Sequence, residues 1–487
     1  MAISTLPLFI GGKAVFSSSG ETFTNYRPMD GAVDREISLA GPDDVELAIS
    51  VAQNAQEEWA TVPGIERGRI LLAAARIMRD RRQEIAEIET LDTGKPISET
   101  PYADVDSAID ALEFFGGIAM DMKGDFHDLG NGSMAYSIRE PLGVCAGIGA
   151  WNYPLQIATW KSAPALAAGN AMIFKPSELT PLNAYTLAEI YREAGLPDGL
   201  FNVVQGMGQV GAILASHPGI DKLTFTGSVP TGKRVLEAAA STVKHTTMEL
   251  GGKSPLIIFE DADLDNAVAA AMNANFYSQG EVCSNGTRVF VHASIRDMFL
   301  EKLVERTEKM VIGDPMAEET HVGALISEDH GEKVLSYVEL GVQQGATLIT
   351  GGERVEVPDM EGGFYMSPAV FAGCEDHMRI CQEEIFGPVM SVLTFQDEKE
   401  VIKRANNTEF GLAAGLFTKD LARAHRVVRK LQAGSCWVNN YNLTPAGVPF
   451  GGSKQSGIGR ENCARTLDHF SEIKSVYVEL GDVESSY

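Results

Sequence analysis

A chain of 487 residues, 44% apolar and 22% charged, has length for about three structural units and can bury its core without disulfide or zinc staples. Its 66 acidic against 40 basic residues leave a formal net charge of −26, which speaks against a nucleic-acid binder and against docking on anionic membranes. Six dispersed cysteines without a CxxC pair, and nine dispersed histidines without HExxH, point to a reducing cytoplasm and away from a transition-metal enzyme.

In chain order, the first apolar run, Leu6–Ile10, has no basic stretch before it, so no secretory leader is expected. No apolar run is long enough for a transmembrane helix. Residues Asp43–Trp59 place Val45, Ala48, Val51, Ala52, Ala55 and Trp59 on one helical face, and a second helix is expected over Glu66–Leu91. Asn131-Gly132, within Asp128–Ile138, is a type I′ hairpin signal. From 145 to 248, strands at Ala171–Phe174, Phe201–Val204 and Lys222–Thr226 alternate with helices. The first of these helices has Thr180 as expected N-cap, Pro181 in its first turn and Gly195 past its end. This alternation predicts an α/β, Rossmann-like nucleotide-binding unit with a parallel sheet. A second α/β alternation begins at Ser254–Phe259 and Leu264–Tyr277 and continues through Arg288–His292 and Val389–Phe395 to Cys436–Asn439. Lys474–Leu480 alternates outside both units and, with the Asn131-Gly132 hairpin, suggests a projecting oligomerisation arm.

Four loops could carry chemistry. Gly227 to Lys233 follows a strand and opens a helix, with Gly-x4-Gly-Lys spacing. A P-loop needs Ser or Thr where Arg234 stands, and Pro230 removes an amide donor, so holding dinucleotide phosphate without magnesium is the better use. A plain strand-to-helix turn is the alternative. Cys283 sits in a Gly-flanked loop before a strand, where nucleophiles are presented, although a lone Cys is more often a small buried hydrophobe. Its position offers no reason for a lowered pKa, so a base must activate it. Glu249, followed by two glycines, is a candidate base or a solvated loop residue. Asn152, in Trp151-Asn152-Tyr153-Pro154, can offer an amide to a developing oxyanion or form an Asx turn.

WNYP with Asn152, KPSE at 175–178, FTGS at 225–228, ELGGKS at 249–254, QGEVCSN at 279–285, EEIFGPV at 383–389 and PFGGSKQSGIGRE at 449–461 occur together. In order and spacing these seven segments resemble the NAD(P)-dependent aldehyde dehydrogenase superfamily along essentially the whole chain. Finer segments, 148–156, 160–163, 283–287 and 438–442, resemble its betaine aldehyde and trimethylaminobutyraldehyde branches.

The resemblance implies an NAD-binding domain over 1–122 and 145–248, with 448–467 returning to it. It implies a catalytic domain over 249–447 and an oligomerisation arm from 123–144 and 468–487, giving a homotetramer (a dimer of dimers) or a homodimer. It implies that Cys283 is the nucleophile, Asn152 an oxyanion donor, Glu249 the base, and Lys161 with Glu461 either a proton relay or a structural ion pair. For the cofactor it implies Gly149, Ala150, Trp151 and Asn152 at the nicotinamide, and Lys175, Pro176, Ser177 and Glu178 at the adenosine ribose. It also implies Gly208 near the adenine, Gly227, Ser228, Val229 and Pro230 at the pyrophosphate, and Glu384 at the nicotinamide ribose. Glu178 would repel a 2′-phosphate, so NAD is expected ahead of NADP. The expected substrate is a small cationic aldehyde held by Tyr153, Trp160, Tyr441 and Phe450 through cation–π attraction. Betaine aldehyde, oxidised irreversibly to glycine betaine, stands ahead of 4-trimethylaminobutyraldehyde or another aminoaldehyde, although Tyr441 stands where bacterial betaine aldehyde enzymes often carry Trp and Asn439-Asn440-Tyr441-Asn442 is more similar to the trimethylaminobutyraldehyde branch. Potassium is implied at Asn25, Asp92, Leu179, Val243, Lys454 and Gly457. A P-loop phosphotransferase and a catalytically silent scaffold are the remote alternatives.

Overall fold

The computed structural model describes residues 4–483 and 485–487. An eight-stranded sheet runs in the order Gly457–Ile458, His245–Glu249, Lys222–Thr226, Val144–Ile148, Ala171–Lys175, Phe201–Val203, Leu8–Ile10, Lys13–Val15. The five strands between 144 and 249 are parallel and the outer ones antiparallel. Val144–Ile148 and Ala171–Lys175 are buried along their whole length, as expected where helices cover both faces. From Val144–Ile148 the chain winds outward to Phe201–Val203, then returns to the other side for Lys222–Thr226. That reversal opens a crevice beyond the carboxyl ends of these two strands, where α/β sheets bind ligands.

A second, seven-stranded sheet has the order Thr347–Thr350, Ala369–Ala372, Val389–Phe395, Arg288–His292, Pro255–Ile258, Ala413–Phe417, Ser435–Val438. All its pairings are parallel except the first. Only Leu250 to Ser254 separate the last parallel strand of the first sheet from Pro255–Ile258 in the second. The carboxyl end of His245–Glu249 is thus joined to the amino end of Pro255–Ile258 through a short link that contains Gly251 and Gly252.

The third unit is a three-stranded antiparallel sheet of Phe126–Gly130, Ser133–Pro141 and Ser471–Val478. Asn131 and Gly132 form its two-residue turn with φ of 52° and 87°, the positive values a type I′ turn requires. Phe126, Leu129, Ile473 and Tyr477 stand exposed on it.

One division carried no local signal, and local signals failed in two further places. The run Leu6–Ile10 divides between sheets, Thr5–Leu6 pairing with Val33–Ser38 and Leu8–Ile10 with Phe201–Val203, because Pro7 has no N–H to continue a ladder. The helix expected over Glu66–Leu91 is two helices, Gly64–Asp80 and Arg82–Thr93, broken where Arg81 adopts φ −101° and ψ 14°. Thr180 does not cap the helix Leu182–Glu193, whose side-chain cap is remote: the Asp92 carboxylate accepts the Leu182 N–H at 3.0 Å.

Candidate active site

The strand Val144–Ile148 passes through Gly149–Tyr153 into the helix Pro154–Ala167, which has Pro in its first turn and is buried almost all round. It packs against the sheet and against the helices Gly64–Asp80, Ser107–Ile118 and Leu182–Glu193. Asn152 thus stands on a rigid support at a helix N-terminus. Its Nδ2 donates to the Glu281 carbonyl at 2.9 Å, which orients the amide and leaves its second N–H free.

Glu249 ends the strand His245–Glu249, and the chain crosses to the second sheet through Gly251-Gly252. A side chain at Gly251 would collide with the Glu384 carboxylate, which accepts the Gly252 N–H at 3.0 Å. Both Glu249 carboxyl oxygens are buried without hydrogen-bond partners. Burial raises its pKa well above the ordinary value; Glu461 adds to this, while Lys161 and Arg460 oppose it. Lys161 Nζ lies 2.7 Å from Glu461 Oε1 and 3.1 Å from Thr224 Oγ1.

Cys283 precedes the strand Arg288–His292, and its loop is entered through a backbone that residue preference disfavours. Ser278, Gln279 and Gly280 are consecutive at φ 49°, 52° and 75°. For the two non-glycine residues this left-handed geometry costs about 1–2 kcal/mol each, so surrounding contacts must hold it. Burial pushes the Cys283 thiol up to about 12, with Glu384 and Glu249 adding negative field. At neutral pH this thiol is protonated and needs a base.

Asn152, Glu249 and Cys283 face one cavity of about 650 Å³, together with Ala150, Trp151, Tyr153, Trp160, Gly227, Ser228, Glu384, Tyr441, Phe450 and Glu461. Trp160 and Phe450 meet edge to face at 5.7 Å. Trp151 packs in the same manner on Phe386 at 5.1 Å. Tyr441 is only 6% exposed; its hydroxyl donates to the Ser284 carbonyl at 3.0 Å, and its ring lies 4.8 Å from that of Trp437. Most of this ring braces the nucleophile loop. Lys161 sits behind the wall, and Gly149 backs onto Phe174. Val229 and Pro230 begin the helix Val229–Ala240 after the Gly227-Ser228 turn. Lys233 reaches away to Gln455 Oε1 at 2.7 Å, so no P-loop lysine folds over that turn.

Outside the cavity lie Lys175, Pro176, Ser177, Glu178 and Gly208, on the same carboxyl edge of the first sheet. Lys175 Nζ donates to Pro176 O at 2.9 Å and lies 3.4 Å from Glu178. The helix Gly208–Ser216 runs close beside Lys175 at Gly211. The structure gathers half of the potassium set: Asn25 Nδ2 lies 3.4 Å from Asp92 Oδ1 and 3.3 Å from Leu179 O. Burial raises the Asp92 carboxyl to about 8. Val243 is 88% exposed and, among the described residues, has no hydrogen bond to Lys454 or Gly457, which flank the turn before the edge strand Gly457–Ile458.

Reading the sequence missed the cavity mouth. Tyr102, Asp106 and Asp110 line it from the helical segment 101–118, and Tyr277 lines the same cavity. Asp106 is held by Arg82 at 2.7 Å, and Asp110 is exposed. Nothing in the local pattern marks these carboxylates, because their meaning depends on what the helix faces.

Residues 15–476 match the model of the aldehyde dehydrogenase family. The chain belongs to that family. It is 57% identical to the betaine aldehyde dehydrogenase of Brucella anthropi and 58% identical to that of Mesorhizobium japonicum, in each case over 98% of both chains. Among solved structures it is similar to an aldehyde dehydrogenase from Bacillus cereus in complex with NAD+, with TM-score 0.96, 40% identity, and 98% and 97% of the two chains covered. No helix among the described residues is long and apolar enough to cross a membrane.

Proposed function

We propose that the chain oxidises betaine aldehyde to glycine betaine with NAD, through a covalent intermediate on Cys283. The observation that carries this reading is the convergence of Cys283, Asn152 and Glu249 on one cavity whose walls are aromatic and whose mouth is acidic. NAD, when bound, supplies the hydride acceptor. Cys283 Sγ, its proton taken by water or by Glu249, adds to the aldehyde carbonyl, and the resulting oxyanion takes hydrogen bonds from the free Asn152 N–H and the Cys283 backbone N–H, with the positive end of the helix Pro154–Ala167 behind them. Loss of hydride leaves a thioester on Cys283. Glu249 then takes a proton from water as that water attacks the thioester carbon, releasing the acid and the thiol. Lys161 and Glu461, paired next to Glu249, are placed to pass that proton on.

The residues present fit a dinucleotide. The crevice at the strand reversal has Gly149 to Asn152 on one side, and on the other the Gly227-Ser228 turn at a helix N-terminus suited to phosphate. Glu178 beside Lys175 disfavours a 2′-phosphate, which places NADP second. Potassium belongs to the proposal only at Asn25, Asp92 and Leu179, where the Asn25 amide NH2 brings an Asp92 oxygen and the Leu179 carbonyl together. The three-stranded unit, with its exposed Phe126 and Tyr477, would join copies into a homodimer or homotetramer. All six cysteines are unpaired, which suits a reducing cytoplasm.

Purified protein with NAD and a panel of betaine aldehyde, 4-trimethylaminobutyraldehyde, 4-aminobutyraldehyde and propanal, followed by NADH absorbance, tests the reading. The highest kcat/KM is expected for betaine aldehyde, and no NADH with any of them would refute it. Asp110→Asn is expected to raise KM for betaine aldehyde about threefold or more while leaving propanal nearly unchanged, since an exposed carboxylate attracts a cation weakly and only a charged substrate feels it. Equal effects on both aldehydes would remove Asp110 from recognition. Asn152→Ala is expected to lower kcat about 10²–10³-fold, the effect of deleting one oxyanion donor. A loss below about threefold would leave stabilisation of the oxyanion to the backbone and the helix end.

A further inference from the structure

The strained turn before Cys283 is held by a group that lies outside the cavity and that the mechanism has not used. Glu99, only 8% exposed, stands just ahead of the π-helical segment Pro101–Asp106. Its Oε2 accepts the Ser278 N–H at 2.9 Å and the Ser278 hydroxyl at 3.1 Å, across 179 residues of chain. With that hydroxyl donating to Glu99, the Tyr153 hydroxyl, 2.8 Å away, donates to Ser278 Oγ. Tyr153 follows Asn152 directly. On its other side the Tyr153 ring carries Lys95 Nζ at 4.0 Å from its centroid, and Lys95 is fixed by Asp104 at 2.6 Å. A single buried carboxylate thus ties the nucleophile's turn to the oxyanion donor's segment.

We propose that Glu99 is a positioning residue for the reaction: by taking both Ser278 donors it holds the left-handed turn that aims Cys283 and couples it, through Tyr153, to Asn152. This rests on Cys283 being the nucleophile. Without the clamp, Ser278 relaxes toward negative φ and Cys283 shifts relative to Asn152; a displacement near 1 Å is enough to cost about a hundredfold in rate. Glycine populates positive φ without strain, so at position 278 it needs no clamp.

Glu99→Ala is expected to lower kcat about tenfold to a hundredfold, with the Kd for NAD unchanged by titration. Glu99→Gln, which keeps one acceptor oxygen for the Ser278 N–H, should retain most of the turnover. The double variant Glu99→Ala with Ser278→Gly should recover most of the lost kcat, which a merely structural role for Glu99 would not produce. Should Glu99→Ala fail to fold, Ser278→Ala, which removes only the hydroxyl links, is expected to show a smaller loss of the same kind, again in kcat. Wild-type kcat in Glu99→Ala and Ser278→Ala, or a loss that Ser278→Gly does not recover, overturns the proposal while Cys283→Ala remains inactive. Retained turnover in Cys283→Ala overturns both the nucleophile and its positioning.

Discussion

Cys283→Ala is expected to lose dehydrogenase turnover by a factor of about 10⁴ or more, the scale seen when a nucleophile is deleted, while its affinity for NAD is unchanged. The reason is specific to this site. No other cysteine lines the cavity, and Cys145, Cys374, Cys381 and Cys463 are buried elsewhere in the chain. Loss of Sγ therefore leaves no thiol to take over. The parent thiol, held up to about 12 by burial, is also expected to react slowly with iodoacetamide in the ligand-free protein, and more quickly as pH rises. Turnover measured as NADH formation, with NAD binding measured separately, checks the variant. Activity within about tenfold of wild type would remove Cys283 as the nucleophile.

Glu249→Gln should separate the two halves of the reaction. Hydride transfer precedes hydrolysis, so the variant is expected to release a burst of about one NADH per subunit and then to turn over about 10²–10⁴-fold more slowly. The buried Glu249 carboxyl has a raised pKa and acts as a base only when ionised, so wild-type kcat should climb as pH rises through that value. In Glu249→Gln this limb should disappear. The neighbouring Lys161–Glu461 pair favours the charged base through Lys161 and opposes it through Glu461, so changing either should move the limb in opposite directions. A burst that vanishes together with the steady state would assign Glu249 to the thiol proton, and an unchanged rate would deny it any role as base.

The parts of this site legible in the sequence are those built from local turn chemistry. Asn152 before Pro154, the Gly227-Ser228 turn, Glu249 before two glycines and Cys283 in a Gly-flanked loop each mark a strand end by composition. The structure brings Asn152, Glu249 and Cys283 to one cavity, with Gly227 and Ser228 on its wall. The aromatic residues were less readable. Trp160 and Phe450 line the cavity in edge-to-face contact, yet Tyr441, of the same chemical type, has its hydroxyl engaged by Ser284 and its ring against Trp437. An aromatic residue near a motif carries no trace of whether its face meets a ligand or a neighbour.

By itself, then, the sequence determined the α/β alternation, the hairpin at Asn131-Gly132 and the chemical types at the strand ends, because periodicity and turn preference act over a few residues. Only the tertiary structure decided that Asp92 caps a helix 90 residues away, that Asp110 reaches the cavity mouth, and that Glu99 accepts both donors of Ser278, a residue in a conformation its own preference opposes. The physical reason is the same in each case. A carboxylate obtains its partners through space, and left-handed backbone at Ser278 survives because distant contacts offset its local cost, so neither leaves a mark in the neighbouring residues.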